Sequence, residues 1–148
     1  MIKIRHAVPG DAGSIVEFQV AMALETESIQ LDRNLVTPGV DAVFSDPSKG
    51  EYFVAEDNGE IVASLLITCE WSDWRNASVW WFQSVYVIPR FRRKGIFSRM
   101  YSFIREEAEK NNVAGLRLYV ETRNKPAQAT YEAMGMTGEH YKMYEWLK

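Results

Sequence analysis

One cysteine and the absence of long apolar runs set the first limits on this chain. Cys69 has no second cysteine to pair with, so an intramolecular disulfide is excluded. No uninterrupted apolar stretch reaches the roughly 20 residues of a membrane-spanning helix, and no secretion signal opens the sequence. These absences predict a cytoplasmic protein with no membrane partner.

Positive charge is also in short supply. The chain has 17 lysines and arginines against 20 aspartates and glutamates, a formal net charge of −3. Because non-specific affinity for DNA comes largely from basic side chains that neutralise phosphates, this balance disfavours a nucleic-acid partner. The glycine motifs G-x-x-x-x-G-K-[ST] and G-x-G-x-x-G are both absent, which argues against two common nucleotide sites.

The length and the order of patterns predict a single domain, residues 1–148, of mixed α/β class. The 148 residues, 47% of them hydrophobic, can bury one sizeable core but not two. Strand patterns and helical spacing alternate along the chain. We predict strands at 1–8, 51–56, 60–71, 77–87, 115–122 and 137–147, and helices within 9–25, 96–112 and 125–134.

Two stretches between these elements carry turn signals. Asn58-Gly59 separates two apolar runs and predicts a hairpin, because both turn residues need positive φ. Residues 28–50 mix a possible short helix with the breaks Pro38-Gly39 and Asp46-Pro47, so we predict a variable, partly looped segment.

Positive charge is concentrated in RFRRKGIFS, residues 90–98, between a predicted strand and a predicted helix. The first N–H groups of a helix have no internal partner, and the helix dipole adds positive potential there. Gly95 lets the main chain approach a ligand closely. The stretch therefore indicates an anion site, although a solvated basic turn would have the same composition.

A second pattern, N-x-x-A-x-x-x-Y-x-x-x-G, runs from Asn124 to Gly135. On a helix that starts near Lys125, Ala127 and Tyr131 share one face. Taken alone, Asn124 could be a turn or N-cap residue, and Tyr131 could simply pack in the hydrophobic core.

Together these segments resemble the GNAT superfamily of acetyl-CoA-dependent N-acetyltransferases. IRHAVPGDA is similar to the family's opening strand and turn, and SVYVIPRFRRKGIF to its cofactor loop, Q/R-x-x-G-x-G/A. Arg92 and Gly95 match that loop, whereas Phe97 replaces its small last residue. The resemblance implies a mixed, mostly antiparallel sheet with splayed central strands and flanking helices. It also implies direct acetyl transfer from acetyl-CoA to an amine in a ternary complex.

The resemblance assigns residues to the cofactor and to catalysis. Tyr131 would be the general acid that protonates the departing thiolate. Trp81 and Gln83, on the central strand, cannot accept a proton at neutral pH, so Glu70 or Glu121 would steer a water instead. The resemblance assigns three groups of residues to binding of the cofactor. They are the main chain of Val85, Tyr86 and Val87, the turn residues Arg92, Arg93, Lys94, Gly95, Ile96, Phe97 and Ser98, and the residues Asn124, Ala127 and Tyr131.

Acidic and indole side chains suggest the acceptor. Carboxylates beside indoles can attract and cover a cation, so we predict a small cationic primary amine. The predicted acceptor residues are Glu25, Glu27, Trp71, Trp74, Trp81 and Gln83.

Several alternatives stay open from the sequence. They are a catalytically silent acetyl-CoA sensor, a protein or peptide N-acetyltransferase, and a phosphate-binding module that uses the glycine turn alone. A homodimer is also left open, and we expect no metal site.

Overall fold

The computed structural model describes all residues, 1–148, and they divide into two units, Met1–Arg117 and Leu118–Lys148. The first unit contains β1 (Ile2–His6), α1 (Ala12–Glu27), α2 (Arg33–Ser45), β2 (Glu51–Asp57), β3 (Glu60–Ser72), β4 (Ala77–Val87), α3 (Ile96–Lys110) and β5 (Gly115–Arg117). The second unit contains one helix, α4 (Lys125–Ala133). No helix combines the length and apolar character needed to cross a membrane.

The first unit is built on a five-stranded sheet in the order β1-β2-β3-β4-β5. The strands β1 to β4 pair antiparallel, and β5 pairs parallel with β4. The predicted mixed, mostly antiparallel sheet is therefore confirmed. The predicted hairpin is also confirmed, since Asn58 and Gly59 join β2 to β3 with φ of 49° and 87°.

Helices bury both faces of this sheet. On one face, Ile15 and Val16 of α1 and Val40 of α2 pack on Tyr52 and Val54 of β2. On the other face lies α3, whose Ile96, Met100 and Ile104 are buried as the helical spacing predicted. Alternation along β2 sends Phe53 to the α3 side, where its ring meets that of Phe103.

The prediction of a partly looped segment at 28–50 with a possible short helix understated its helical content. The 13-residue helix α2 runs through Pro38 in its interior. Asp32 begins the helix by accepting a hydrogen bond from the Asn34 N–H at 2.8 Å. Burial of Val40 against α1 and β2 offsets the backbone bond that Pro38 cannot make.

Two predicted strands are shorter than expected or missing. The strand predicted at 115–122 forms a ladder only over Gly115–Arg117, and residues 137–147 form no strand. A strand exists only where its backbone groups pair with a neighbour. In these segments the residue pattern indicates β propensity, and propensity alone does not make a strand.

Candidate functional site

The centre of the sheet opens beside β4. Its ladder with β5 covers only Val79 to Trp81, whereas its ladder with β3 continues to Val87. From Phe82 onward, β4 forms no ladder with β5, whose last paired residue is Arg117. Such an edge can pair with an extended molecule that carries amide groups.

A β-bulge lies in the open part of β4. Gln83 pairs with Leu66 and Tyr86 with Ser64, so two β4 residues oppose the single residue Leu65. Ser84 takes φ of 51°, a conformation that is uncommon for a residue with a side chain. Bulges reorient the strand and often adjoin active sites. Nothing in the sequence signalled this one.

The turn after β4 leads into α3, a 15-residue helix. Arg93 and Gly95 have φ of 60° and 74°, and Gly95 is the N-cap without any side-chain cap. A Cβ on Gly95 would meet nothing within 4 Å, so the positive φ, not crowding, is what favours glycine here. The first N–H groups of α3 are therefore left to an external acceptor, as an anion site requires.

The basic side chains of the turn have different partners. Arg90 forms an ion pair with Glu60, and Lys94 Nζ lies 5.1 Å from the centroid of the Phe91 ring. Arg93 is exposed. These side chains place positive charge around the N-terminus of α3.

Arg92 links the turn before α3 to α1 and β4. Its Nε donates to the Val87 carbonyl oxygen at 2.8 Å, and its Nη2 donates to Glu25 Oε2 at 2.7 Å. The guanidinium lies 5.3 Å from the centroid of the Tyr86 ring, and Tyr86 Oη donates to Glu25 Oε1 at 3.0 Å. We call Glu25, Tyr86 and Arg92 the Arg92 clamp.

The electrostatics of the Arg92 clamp favour the ion pair. The hydrogen bond from Arg92 holds the pKa of Glu25 below its usual range, and burial raises the pKa of Tyr86. Sequence analysis assigned Glu25 to the acceptor and Arg92 to the cofactor, and missed their contact. The two residues stand 67 positions apart, and no local pattern connects them.

Phe97, the departure from the family loop, points into the α3 side of the sheet. Its ring centroid lies 6.1 Å from that of Phe82 and 6.4 Å from that of Tyr101. The bulky side chain is accommodated by aromatic packing, which leaves the Phe97 N–H on the first turn of α3.

Several predicted residues share the sheet face that α1 and α2 cover. The ladder places Trp81 opposite Thr68, and Gln83 Nε2 donates to Thr68 Oγ1 at 2.6 Å. Glu70 lies two residues after Thr68 on β3 and therefore faces the same side of the sheet. It forms an ion pair with Arg117 of β5. A strip of polar and aromatic groups therefore follows β3 and β4 on this face.

The other predicted acceptor residues lie apart from that strip. Trp71 alternates with Glu70 and so belongs to the opposite face of β3. Trp74, in the turn after β3, is exposed, as is Glu27 at the end of α1. The carboxylate of Glu70 and the indole of Trp71 thus do not share a face.

In the second unit, Asn124 is the N-cap of α4. Its Oδ1 accepts a hydrogen bond from the Ala127 N–H at 3.2 Å. This is the contact that the N-cap interpretation of Asn124 predicts. Glu121 pairs with Arg123, which lowers the pKa of Glu121. Burial raises the pKa of Tyr131, so its hydroxyl stays protonated at neutral pH.

Comparison with known proteins agrees with this geometry. The sequence model of the acetyltransferase (GNAT) family matches residues 19–136. A possible acetyltransferase from Clostridium difficile 630 is 43% identical, with a TM-score of 0.92 over 100% of this chain and 98% of that one. A predicted acetyltransferase from Clostridium acetobutylicum, solved with acetyl-CoA, is 21% identical, with a TM-score of 0.74 over 100% and 95% of the two chains.

A curated relative is similar over a shorter stretch. The uncharacterized N-acetyltransferase YhfO of Bacillus subtilis (strain 168) is 28% identical over 82 residues, which cover 55% of this chain and 55% of YhfO. The open edge of β4, the glycine turn before α3 and the match over 19–136 lead to one assignment. The chain belongs to the GNAT family of acetyltransferases, whose members use acetyl-CoA.

Proposed function

We propose that this protein transfers the acetyl group of acetyl-CoA directly to a small cationic primary amine in a ternary complex. The observation that carries the proposal is continuity along the chain. The strand edge at Val85–Val87, which forms no ladder with β5, leads within a few residues to the uncapped helix start at Gly95. An extended, amide-bearing molecule that ends in a pyrophosphate fits this sequence of features. We treat residues 1–148 as one N-acetyltransferase domain, because the family match crosses both units.

The cofactor would be held mainly by the main chain. The N–H groups between Arg93 and Ser98 would bind the pyrophosphate oxygens, and the main chain of Val85 to Val87 would pair with the pantetheine amides. The positive charges of Arg93 and Lys94 would attract the pyrophosphate without hydrogen bonds of fixed geometry. Asn124 and Ala127, at the start of α4, stay proposed cofactor residues on the family resemblance alone.

The reaction needs a neutral amine and a protonated leaving group. The amine nitrogen attacks the thioester carbonyl carbon, the C–N bond forms, the C–S bond breaks, and Tyr131 gives its phenolic proton to the thiolate sulfur. The amine proton leaves through water. Glu70 and Glu121 each pair with an arginine, and either carboxylate would orient that water.

The acceptor proposal predicts a selective effect at Glu70. We expect Glu70→Gln to raise KM for the amine, more strongly at low salt, and to leave KM for acetyl-CoA unchanged. Glu109→Gln is the matched control, because Glu109 is also an ion-paired exposed carboxylate but lies on α3. Steady-state kinetics at two salt concentrations measures both constants. Equal KM values in wild type and Glu70→Gln would remove Glu70 from the acceptor site.

The Arg92 clamp predicts that Glu25 also acts on the cofactor side. Glu25→Gln should raise KM for acetyl-CoA by about 2- to 5-fold, the worth of a half-exposed ion pair of roughly 0.5–1 kcal/mol. Combined with Arg92→Ala, it should add little further, because the clamp is already broken. Glu60→Gln, which breaks the Arg90 pair instead, should change KM little. Additive effects of Glu25→Gln and Arg92→Ala would contradict the coupling.

The pH dependence of the Arg92 clamp follows from the lowered pKa of Glu25. The pair is present above the ordinary glutamate pKa and is lost as the pH falls through the lowered value. The clamp should therefore be fully formed across neutral assay conditions.

A screen of acceptors, with detection of free CoA thiol, tests the proposed activity. Polyamines, amino sugars and arylalkylamines should release thiol, whereas acidic amines should not. Release only with protein or peptide amines would favour the protein N-acetyltransferase alternative. Tight CoA binding without release from any amine would favour the sensor alternative.

A further inference from the structure

The strip of polar and aromatic groups on β3 and β4 ends in an ion pair that bridges β4. Glu70 of β3 pairs with Arg117 of β5, and the strand between them is β4. The two side chains have 45% and 32% of their surface exposed, so a ligand can reach both. A carboxylate accepts several hydrogen bonds and a guanidinium donates several, so the pair can bind a ligand that carries two opposite charges.

The inner end of the strip adjoins the part of β4 that forms no ladder with β5. Gln83 lies two residues beyond Trp81, where that ladder ends, and its Nε2 donates to Thr68 Oγ1. Under the proposed function the pyrophosphate binds at the start of α3, so a pantetheine arm along Val85–Val87 carries the thioester toward Gln83. Gln83 Oε1 is an uncharged acceptor, which can hold an amine N–H without favouring the unreactive ammonium form as a carboxylate would.

The spacing between the two ends of the strip sets the length of the acceptor. Thr68 and Glu70 are two residues apart on β3 and face the same side of the sheet, which separates their positions by about 7 Å. An extended chain of five single bonds, each about 1.5 Å long, covers about 6 Å. Trp81 lies opposite Thr68 and is half-buried, so its indole offers apolar surface to such a chain. The strip therefore fits an amine that about four methylenes separate from a charged head.

The ion pair between Glu70 and Arg117 selects the charge of that head. An ammonium alone would be attracted by Glu70 and repelled by Arg117. A head with both an ammonium and a carboxylate complements both side chains, because the planar guanidinium fork matches a carboxylate in geometry as well as in charge. The pair thus favours a zwitterionic head over a second simple cation.

We propose that the acceptor is an α-amino acid that carries a primary amine at the end of its side chain, an inference that rests on the proposed function. Its α-ammonium binds Glu70, its carboxylate binds Arg117, and its side-chain amine lies at Gln83. That amine loses one proton to water and forms the amide bond with the acetyl carbon, while the C–S bond breaks and CoA leaves as the thiol. Because the head occupies Glu70, orientation of the water falls to Glu121.

A matched pair of substrates tests the head. L-lysine differs from 1,5-diaminopentane only by the α-carboxylate, whose charge-assisted hydrogen bonds should make kcat/KM about 10- to 100-fold higher with L-lysine. Mass spectrometry should place the acetyl group on the side-chain nitrogen. Equal or higher kcat/KM with 1,5-diaminopentane, or acetylation at the α-nitrogen, would overturn the amino-acid acceptor and leave the proposed acetyl transfer intact. Thiol release from no amine in the screen would overturn both.

The variant Arg117→Met tests the partner of the carboxylate. It should lower kcat/KM for L-lysine by about 10- to 100-fold, because the carboxylate loses its partner. It should raise kcat/KM for 1,5-diaminopentane, because a like charge beside the second ammonium is removed. Arg105→Met is the matched control and should change neither value, because Arg105 also pairs with a glutamate, Glu109, but lies on α3. A similar loss with both substrates in Arg117→Met would mean that Arg117 only supports the fold, and would overturn the proposal.

Discussion

Tyr131→Phe should lower kcat by about 10²–10⁴-fold while the affinity for CoA stays nearly unchanged. A positioned general acid is usually worth this much, and the substitution removes only the hydroxyl that would protonate the departing thiolate. Burial raises the pKa of Tyr131, so the donor form is present throughout the neutral range. Pre-steady-state and steady-state rates with the best amine of the screen, together with calorimetry for CoA, measure the two quantities.

Tyr52→Phe is the matched control for that substitution. Burial also raises the pKa of Tyr52, but this residue lies on β2, in the core, where its ring packs on Phe44 of α2. Its variant should keep kcat close to that of the wild type. If Tyr131→Phe is as active as Tyr52→Phe, Tyr131 has a packing role and the thiolate is protonated by another donor.

Gly95→Glu should abolish binding of acetyl-CoA and CoA. The glutamate would place a carboxylate at the start of α3, where the pyrophosphate is expected, and repulsion would replace attraction. No protein atom lies within 4 Å of a Cβ at this position, so the side chain can be accommodated without a clash in the protein itself. Isothermal titration calorimetry measures the affinity directly.

Gly59→Glu separates this charge effect from backbone strain. Gly59 also has a positive φ, 87°, and open space around its Cβ, but it lies in the turn between β2 and β3. Both variants should lose a similar amount of thermal stability because both force a side chain into the left-handed region. Only Gly95→Glu should lose CoA. Wild-type CoA affinity in Gly95→Glu would mean that the turn does not bind the pyrophosphate.

Local sequence signals predicted the parts of the fold that local chemistry determines. Asn58-Gly59 needs positive φ wherever it occurs, and the apolar spacing of α3 determines which of its faces is buried. The turn before α3 could also be predicted, because a glycine at a strand-to-helix junction indicates the positive φ that Gly95 adopts. These features position the candidate cofactor site.

Features that depend on contacts between residues distant in the sequence could not be predicted from local patterns. The helix α2 passes through Pro38 because Val40 packs on α1 and β2, a contact that no local window contains. The contact between Glu25 and Arg92 spans 67 positions, and the bulge at Ser84 has no residue signature. The composition of residues 137–147 indicates β propensity, but it does not determine whether a strand forms there.

A crystal structure of the protein with bound CoA tests the central claim most directly. We expect pyrophosphate oxygens about 2.7–3.2 Å from the main-chain nitrogens of residues 93–98, and pantetheine amides paired with the edge of β4 at Val85–Val87. The Arg92 clamp should stay in place beneath the turn. A pyrophosphate bound elsewhere on the surface, with the turn before α3 and the edge of β4 both empty, would contradict the account.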